Sequence, residues 1–166
     1  MNDTEHNVYL LLGSNLSDRI AALKTATSLI SEQVGEIKTA SQYYESQAWG
    51  KTDQPDFVNQ ALDVRTKLTP QEVLTTILQI EKDMGRIRTE KWAERTIDID
   101  ILLYDNQVIN HPDLIIPHPH LHERNFALIP LMEIAGETEH PILHKTIEDI
   151  YFDCTDPLEV LLMDEK

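Results

Sequence analysis

Two stretches of the chain repeat apolar residues at helical spacing, and each lies between segments with the pattern of a strand. Ile20, Leu23, Ala26, Ile30 and Val34 form the first helical stripe, opened by a capping Ser17 or Asp18 and stopped by Gly35. Val73, Ile77, Ile80 and Met84 form the second. It opens on Thr69-Pro70-Gln71-Glu72, with a cap, a proline at the first helical position and a glutamate at the third, and ends at Gly85. Val8 to Leu12 is a buried strand, Glu36 to Ser46 reads as another, and Phe57 to Thr66 alternates. Thr96 to Tyr104 is the strand after the second helix. A hairpin between two helical crossovers gives strand, helix, strand, strand, helix, strand. That is an α+β chain with the ferredoxin-like, split β-α-β pattern and a mainly antiparallel sheet with helices packed on it.

The rest reads as an extension of this core. Asp105-Asn106 is a turn, Val108-Ile109 a short return strand and Leu114 to Pro117 extended. Arg124 to Ala135 is a helix that Pro130 interrupts or bends. Thr146 to Phe152 is a last short helix, and Leu158 to Met163 a last strand.

Ile97-Asp98-Ile99-Asp100-Ile101 carries the sharpest chemical signal. Side chains alternate faces along a strand, so the two aspartates point one way while the isoleucines enter the core. Adjacent carboxylates repel, and a divalent cation removes that cost. Oxygen-only donors favour a hard ion such as magnesium, which completes its shell with water and substrate phosphates. Immediately before this strand, Arg86, Arg88, Lys91 and Arg95 place four of the chain's fourteen Lys and Arg residues within ten positions. Carboxylates beside guanidinium groups suit a polyphosphate. No Gly-rich phosphate loop is present, so Arg86, Arg88, Lys91, Arg95 and Arg124 would do the cradling.

A second group suits a flat organic substrate. Phe57 and Asn59 share a strand face, and an asparagine offers a donor and an acceptor to a heterocycle's amide edge. Trp49, Trp92 and Phe126 can stack on a ring. His118, His120 and His122 alternate, but no cysteine or fourth ligand accompanies them, so zinc is set aside and His118 reads as a phosphate contact or a packed side chain.

The net charge of -15 disfavours nucleic acid and anionic membrane surfaces as partners. No apolar run approaches the ~20 residues of a bilayer span. Cys154 is the only cysteine; it reads as structural, and no internal disulfide can form, which fits a reducing cytoplasm.

The run Lys91-Trp92-Ala93-Glu94-Arg95-Thr96-Ile97-Asp98-Ile99-Asp100-Ile101-Leu102 resembles the signature of the 6-hydroxymethyl-7,8-dihydropterin pyrophosphokinases. Leu12-Gly13-Ser14-Asn15-Leu16, Asp53 to Asn59, Glu81, Gly85 to Arg88, Ile116-Pro117-His118 and Arg124-Asn125-Phe126 resemble further blocks in the family's order. The resemblance implies a single pyrophosphokinase domain over residues 1–166, transferring pyrophosphate from ATP to the hydroxymethyl group of the pterin in folate biosynthesis and releasing AMP.

It also implies site residues. Asp98 and Asp100 would hold two magnesium ions with ATP. Arg86, Arg95, His118 and Arg124 would contact the phosphates, with Glu81 and Ile101 beside the nucleotide. Arg88 and Trp92 would lie on a loop that closes over the substrates. Ser46, Trp49, Phe57, Asn59, Asp98 and Phe126 would form the pterin side, and Arg86, Arg95, Asp98 and Asp100 the catalytic set. The chain departs from the usual pattern at Ala93-Glu94, where Gly-Pro is commoner, and at Trp49, Phe57, Asp113 and Pro119. A monomer, or a weak dimer, is expected. A metal-dependent phosphohydrolase and a non-catalytic small-molecule-binding module are the competing readings of the same residues.

Overall fold

A computed structural model describes residues 4–15, 18–46, 56–85 and 97–163. Strand β1 (His6–Ser14) leads into helix α1 (Arg19–Gln33), and β2 (Gly35–Ala40), β3 (Tyr44–Ser46) and β4 (Phe57–Thr66) precede helix α2 (Pro70–Gly85). Strand β5 (Asp98–Tyr104) follows, then a hairpin of β6 (Ile109–His111) and β7 (Leu114–Ile116). Helices α3 (Asn125–Ala135) and α4 (Ile147–Asp153) and strand β8 (Val160–Leu162) complete the described chain.

The main sheet has the order β5-β1-β4-β3-β8, with β2 also paired to β4. All of these pairings are antiparallel. One edge of β4 pairs with β1 from Val58 to Thr66, and the other is shared between β3 at its start and β2 at its end.

The expected strand from Glu36 to Ser46 is therefore two strands. The break falls at Ser41 to Tyr43, where the side chain of Ser41 takes over from the ladder. Its Oγ accepts from the Ala61 N–H at 2.9 Å, and its carbonyl accepts from Gln60 Nε2 at 2.9 Å. Two other expectations become more specific. The short return strand expected at Val108-Ile109 is β6 (Ile109–His111), and it pairs with β7. Pro130 lies within α3 without ending it, fully inside the core face. Cys154 is the residue after α4, half-buried beside Ile147 and Ile150.

Helices α1, α2 and α4 each start where their sequence offers a cap. Thr69 Oγ1 accepts from the Glu72 N–H at 3.1 Å, and Glu72 Oε1 accepts from the Thr69 N–H at 2.9 Å, a reciprocal capping box for α2. Asp18 accepts from Ala21 N–H at the start of α1, and Thr146 from Asp149 N–H at the start of α4.

The sheet is covered on both faces. On one, α1 and α2 pack Leu23, Ile30, Ile77 and Ile80 against Leu10, Leu12, Leu62, Val64, Ile99 and Ile101. On the other, α3 and α4 pack Leu128, Leu131, Ile147 and Ile150 against Tyr9, Leu11, Leu102 and Leu103. Burying each such side chain contributes about 1.5–3 kcal/mol.

A register shift in the β1–β5 pairing, with Tyr9 opposite Leu103 but Leu10 opposite Ile101, is what turns the successive residues Leu102 and Leu103 toward the same face. Ahead of the shift the alternation is undisturbed. Ile97, Ile99 and Ile101 enter the first core, and Asp98 and Asp100 emerge on the α3 side.

Candidate active site

The geometry starts from β1 and β4. Gly13 lies opposite Asn59, and a Cβ on Gly13 would sit 2.5 Å from Asn59 Nδ2. Only a glycine leaves room for that amide, which donates from Nδ2 to the Leu12 carbonyl at 3.3 Å. Asn59 is 5% exposed, and its Oδ1 has no protein partner. A buried acceptor of this kind carries a desolvation cost until a ligand donor meets it.

The acceptor borders a cavity of about 200 Å³ walled by Gly13, Ser46, Phe57, Asn59, Phe126 and Leu158, with Leu11 beneath. Asp98, Asp100 and Arg124 complete the lining. The Arg124 guanidinium carbon stands 5.6 Å from the centre of the Phe126 ring.

Asp98 and Asp100 have a second aspect. They also line an open trough of about 610 Å³ between α2 and the β6–β7 hairpin. Leu74, Ile77 and Leu78 from α2, Leu114 and Ile115 from β7, and His118 and Pro119 border it. Its floor is the outer edge of β5. There Glu81 Oε2 accepts from the Ile99 N–H at 2.7 Å, and the Leu102 carbonyl accepts from the His118 N–H at 3.0 Å. The Ile101 side chain is 95% buried by its 5% exposure, so its contribution to the trough is mainly strand backbone. Leu78 and Ile115, half-exposed, give the trough two apolar lips.

His118 lies at the far side of the same carboxylates. Burial, then the Arg124 cation, then His120 push its pKa from 6.5 down to about 4. The ring is neutral near pH 7. Its Nδ1 accepts from the His120 N–H at 3.1 Å, which assigns the remaining proton to Nε2 and makes that nitrogen a donor.

The three alternating histidines do not converge. His120 Nδ1 instead pairs with Glu123 at 2.9 Å, and among the described residues no group of three or more His, Cys, Asp or Glu side chains is placed to hold a metal ion. Two carboxylates on one strand face do fit a hard cation that draws its remaining ligands from water and substrate oxygens.

Of the residues expected from sequence, Ser46, Phe57, Asn59, Asp98, Asp100, Arg124 and Phe126 gather at the cavity. Glu81, Ile101 and His118 gather at the trough. Trp49, Arg86, Arg88, Lys91, Trp92 and Arg95 lie outside the described residues. Asp113 and Pro119, two of the departures, both border the trough.

Sequence reasoning missed Leu11, Leu158 and the apolar lips. Nothing local marks Leu158, which arrives from the chain's far end. Gly13 carried a signal in being the one residue without a side chain in the run Val8 to Ser14.

The fold and site together define an α+β protein with two adjoining pockets that share a wall of carboxylates. The pattern of the 7,8-dihydro-6-hydroxymethylpterin-pyrophosphokinase family matches residues 9–136, and the chain belongs to that family. It is 45% identical over 142 residues to the 2-amino-4-hydroxy-6-hydroxymethyldihydropteridine pyrophosphokinase of Aquifex aeolicus, covering 86% of this chain and 88% of that one. The enzyme of the same name from Haemophilus influenzae is 41% identical over 134 residues, covering 80% and 84%.

Among solved structures, a Plasmodium falciparum HPPK-DHPS variant superposes with a TM-score of 0.76 at 19% identity, over 90% of this chain and 45% of that one. The wild-type protein of that organism with pteroate gives 0.74 at 20% identity, over 92% and 43%. The chain thus spans less than half the length of those two proteins, and the likeness to them is one of fold.

Proposed function

We propose that this chain transfers the pyrophosphoryl group of ATP to the hydroxymethyl oxygen of 6-hydroxymethyl-7,8-dihydropterin, releasing AMP, as a step of folate biosynthesis. The observation that carries the proposal is the position of Asp98 and Asp100. They are the wall common to a small cavity with an aromatic ring and an unmet buried acceptor, and to an open trough with apolar lips.

In this reading the pterin enters the cavity. Asn59 Oδ1 accepts from its amide edge, and Phe57 and Phe126 flank the ring. The adenine lies in the trough against the β5 backbone near Ile101, between Leu78 and Ile115. Its phosphates then reach the carboxylates, where Arg124 and the Nε2–H of His118 face their oxygens. Arg86, Arg95, Arg88 and Trp92 belong to the same proposal by their place in the blocks that resemble the family's.

The hydroxymethyl oxygen forms a bond to the β-phosphorus as the bond from that phosphorus to the α–β bridging oxygen breaks. AMP leaves with the bridging oxygen, and the hydroxyl proton is lost to the carboxylate side. Alignment and charge neutralisation are enough for such a transfer, with no covalent nucleophile. Asp98 and Asp100 would hold the two magnesium ions, which when bound neutralise charge on the phosphate oxygens.

The ferredoxin-like reading of the sheet belongs here as well. It is supported by the order β5-β1-β4, followed by the β2 and β3 pairings to β4, all antiparallel. A single domain is supported by one sheet with a core on each face. A monomer working in the cytoplasm is proposed with it. The acidic balance and single cysteine support that, and no helix among the described residues is long and apolar enough to cross a membrane.

Incubation with ATP, magnesium and the hydroxymethyl dihydropterin tests the reading. Pterin-dependent AMP is the expected product. ADP or free phosphate without a pterin requirement would point to a phosphohydrolase, and binding without turnover to a non-catalytic module; either overturns the proposal.

A further inference from the structure

The helix that carries Arg124 and Phe126 begins without a cap of its own. Arg124 occupies the N-cap position of α3, and its side chain makes no capping hydrogen bond. The orphan donor is met from the far end of the chain. Asp156 Oδ2 accepts from the Asn125 N–H at 2.9 Å, and the Asp156 carbonyl accepts from Asn125 Nδ2 at 3.1 Å. The other carboxylate oxygen, Oδ1, accepts from the Leu158 N–H at 3.0 Å. One side chain therefore ties the first turn of α3 to the backbone of the C-terminal segment. A carboxylate there also matches the positive end of the helix dipole.

What this clamp holds is the cavity wall. Arg124 and Phe126 stand on either side of Asn125, and Leu158 is two residues beyond Asp156; all three line the cavity. Beyond the clamp, β8 pairs with β3, so Ser46, another wall residue, is fixed against Val160. This segment lies outside residues 9–136, the part of the chain the family's pattern matches.

We propose that Asp156 is a positioning residue for the substrate site. It sets the direction of the first turn of α3, and thereby where Phe126 meets the pterin and where Arg124 meets the phosphates. This inference rests on the reaction proposed above. An ordinary cap would add stability to α3 and leave the kinetics of the folded protein alone. A positioning residue changes how well the substrates are held.

The test compares Asp156→Ala and Asp156→Asn with Asp153→Asn. The control removes a carboxylate three residues away that binds Lys145 at 2.8 Å. Circular dichroism first establishes that each variant is folded. For Asp156→Ala the pterin KM should rise about tenfold, with a smaller fall in kcat. Asp156→Asn keeps only one of the two accepting oxygens and should still raise the pterin KM, by about threefold, while Asp153→Asn should match the wild type.

A lowered melting temperature with unchanged KM and kcat would show a stabilising cap only and overturn the proposal. If Asp156→Ala does not fold, Asp156→Asn decides, and an unchanged pterin KM again overturns it. Failure of the wild type to make pterin-dependent AMP would overturn the reaction instead. Amide exchange at residues 125–128 then tests the clamp separately. It should be about tenfold faster in whichever Asp156 variant folds, and an unchanged rate removes the clamp.

Discussion

At the scale of single residues, the two aspartates and the glycine opposite Asn59 make separable predictions. Asp98→Ala and Asp100→Ala should each lower kcat by about 10³-fold, because in the proposed reaction each removes charge stabilisation where the transferred group would pass. Neither side chain belongs to the buried core, so both variants should keep the wild-type far-UV spectrum; kinetics at saturating substrates beside that spectrum checks both. Gly13→Ala should act on one substrate only. Its Cβ would displace the amide of Asn59, so the pterin KM should rise while the ATP KM holds. An equal rise in both would place the damage elsewhere.

His118 gives a prediction in pH. Its pKa falls on folding, from 6.5 to about 4. Between those values the unfolded chain takes up a proton that the folded protein refuses, so this group costs stability as the pH drops from 6.5 to 4. The wild type should therefore lose more of its melting temperature over that window than His118→Asn does. Parallel curves would contradict the assignment.

The aspartates were legible in the sequence because strand alternation is a local rule. The requirement for glycine at position 13 was not, because it depends on a residue on another strand.

At the scale of elements, the helices were legible and one strand was not. The Thr69–Glu72 box and the apolar stripes specify α1 and α2 from within their own sequences. The segment from Glu36 to Ser46 looks like one strand because its residues suit extended backbone throughout. Its division depends on hydrogen bonds from Ser41 to β4, which no local pattern announces.

The start of β2 is more tightly specified than a helix-ending glycine suggests. Gly35 lies opposite Thr66, and a Cβ there would stand 2.0 Å from the Arg65 carbonyl. Backbone must move to admit it. Gly35→Ala should therefore destabilise the fold by about 1–3 kcal/mol or more, read from the midpoint of denaturant unfolding. Helix α3 is held at both ends by other elements. Asp156 meets its first turn, and Glu133 near its end accepts from the Gln42 N–H and from the Tyr44 hydroxyl at 2.6 Å.

At the scale of the whole molecule, the two cores share one sheet, and neither can lose its packing without exposing the other's strands. Heating followed by near-UV and far-UV circular dichroism should give coincident transitions, as for a two-state domain. Separate midpoints would argue against a single domain. The order of strands and helices was legible because it follows from periodicity and crossover length. The reach of the C-terminal segment to the cavity was not, since it depends on packing across 31 residues of chain.

The outer border of β5 has one more consequence. A free strand edge is a template on which another chain can assemble. Here Glu81 and the His118 backbone occupy hydrogen-bonding positions along that border, which interrupts the template. The groups that shape the trough also cover part of the β5 edge on which another chain could pair. A substitution at Glu81 would therefore change the shape of the trough and the cover of that edge together.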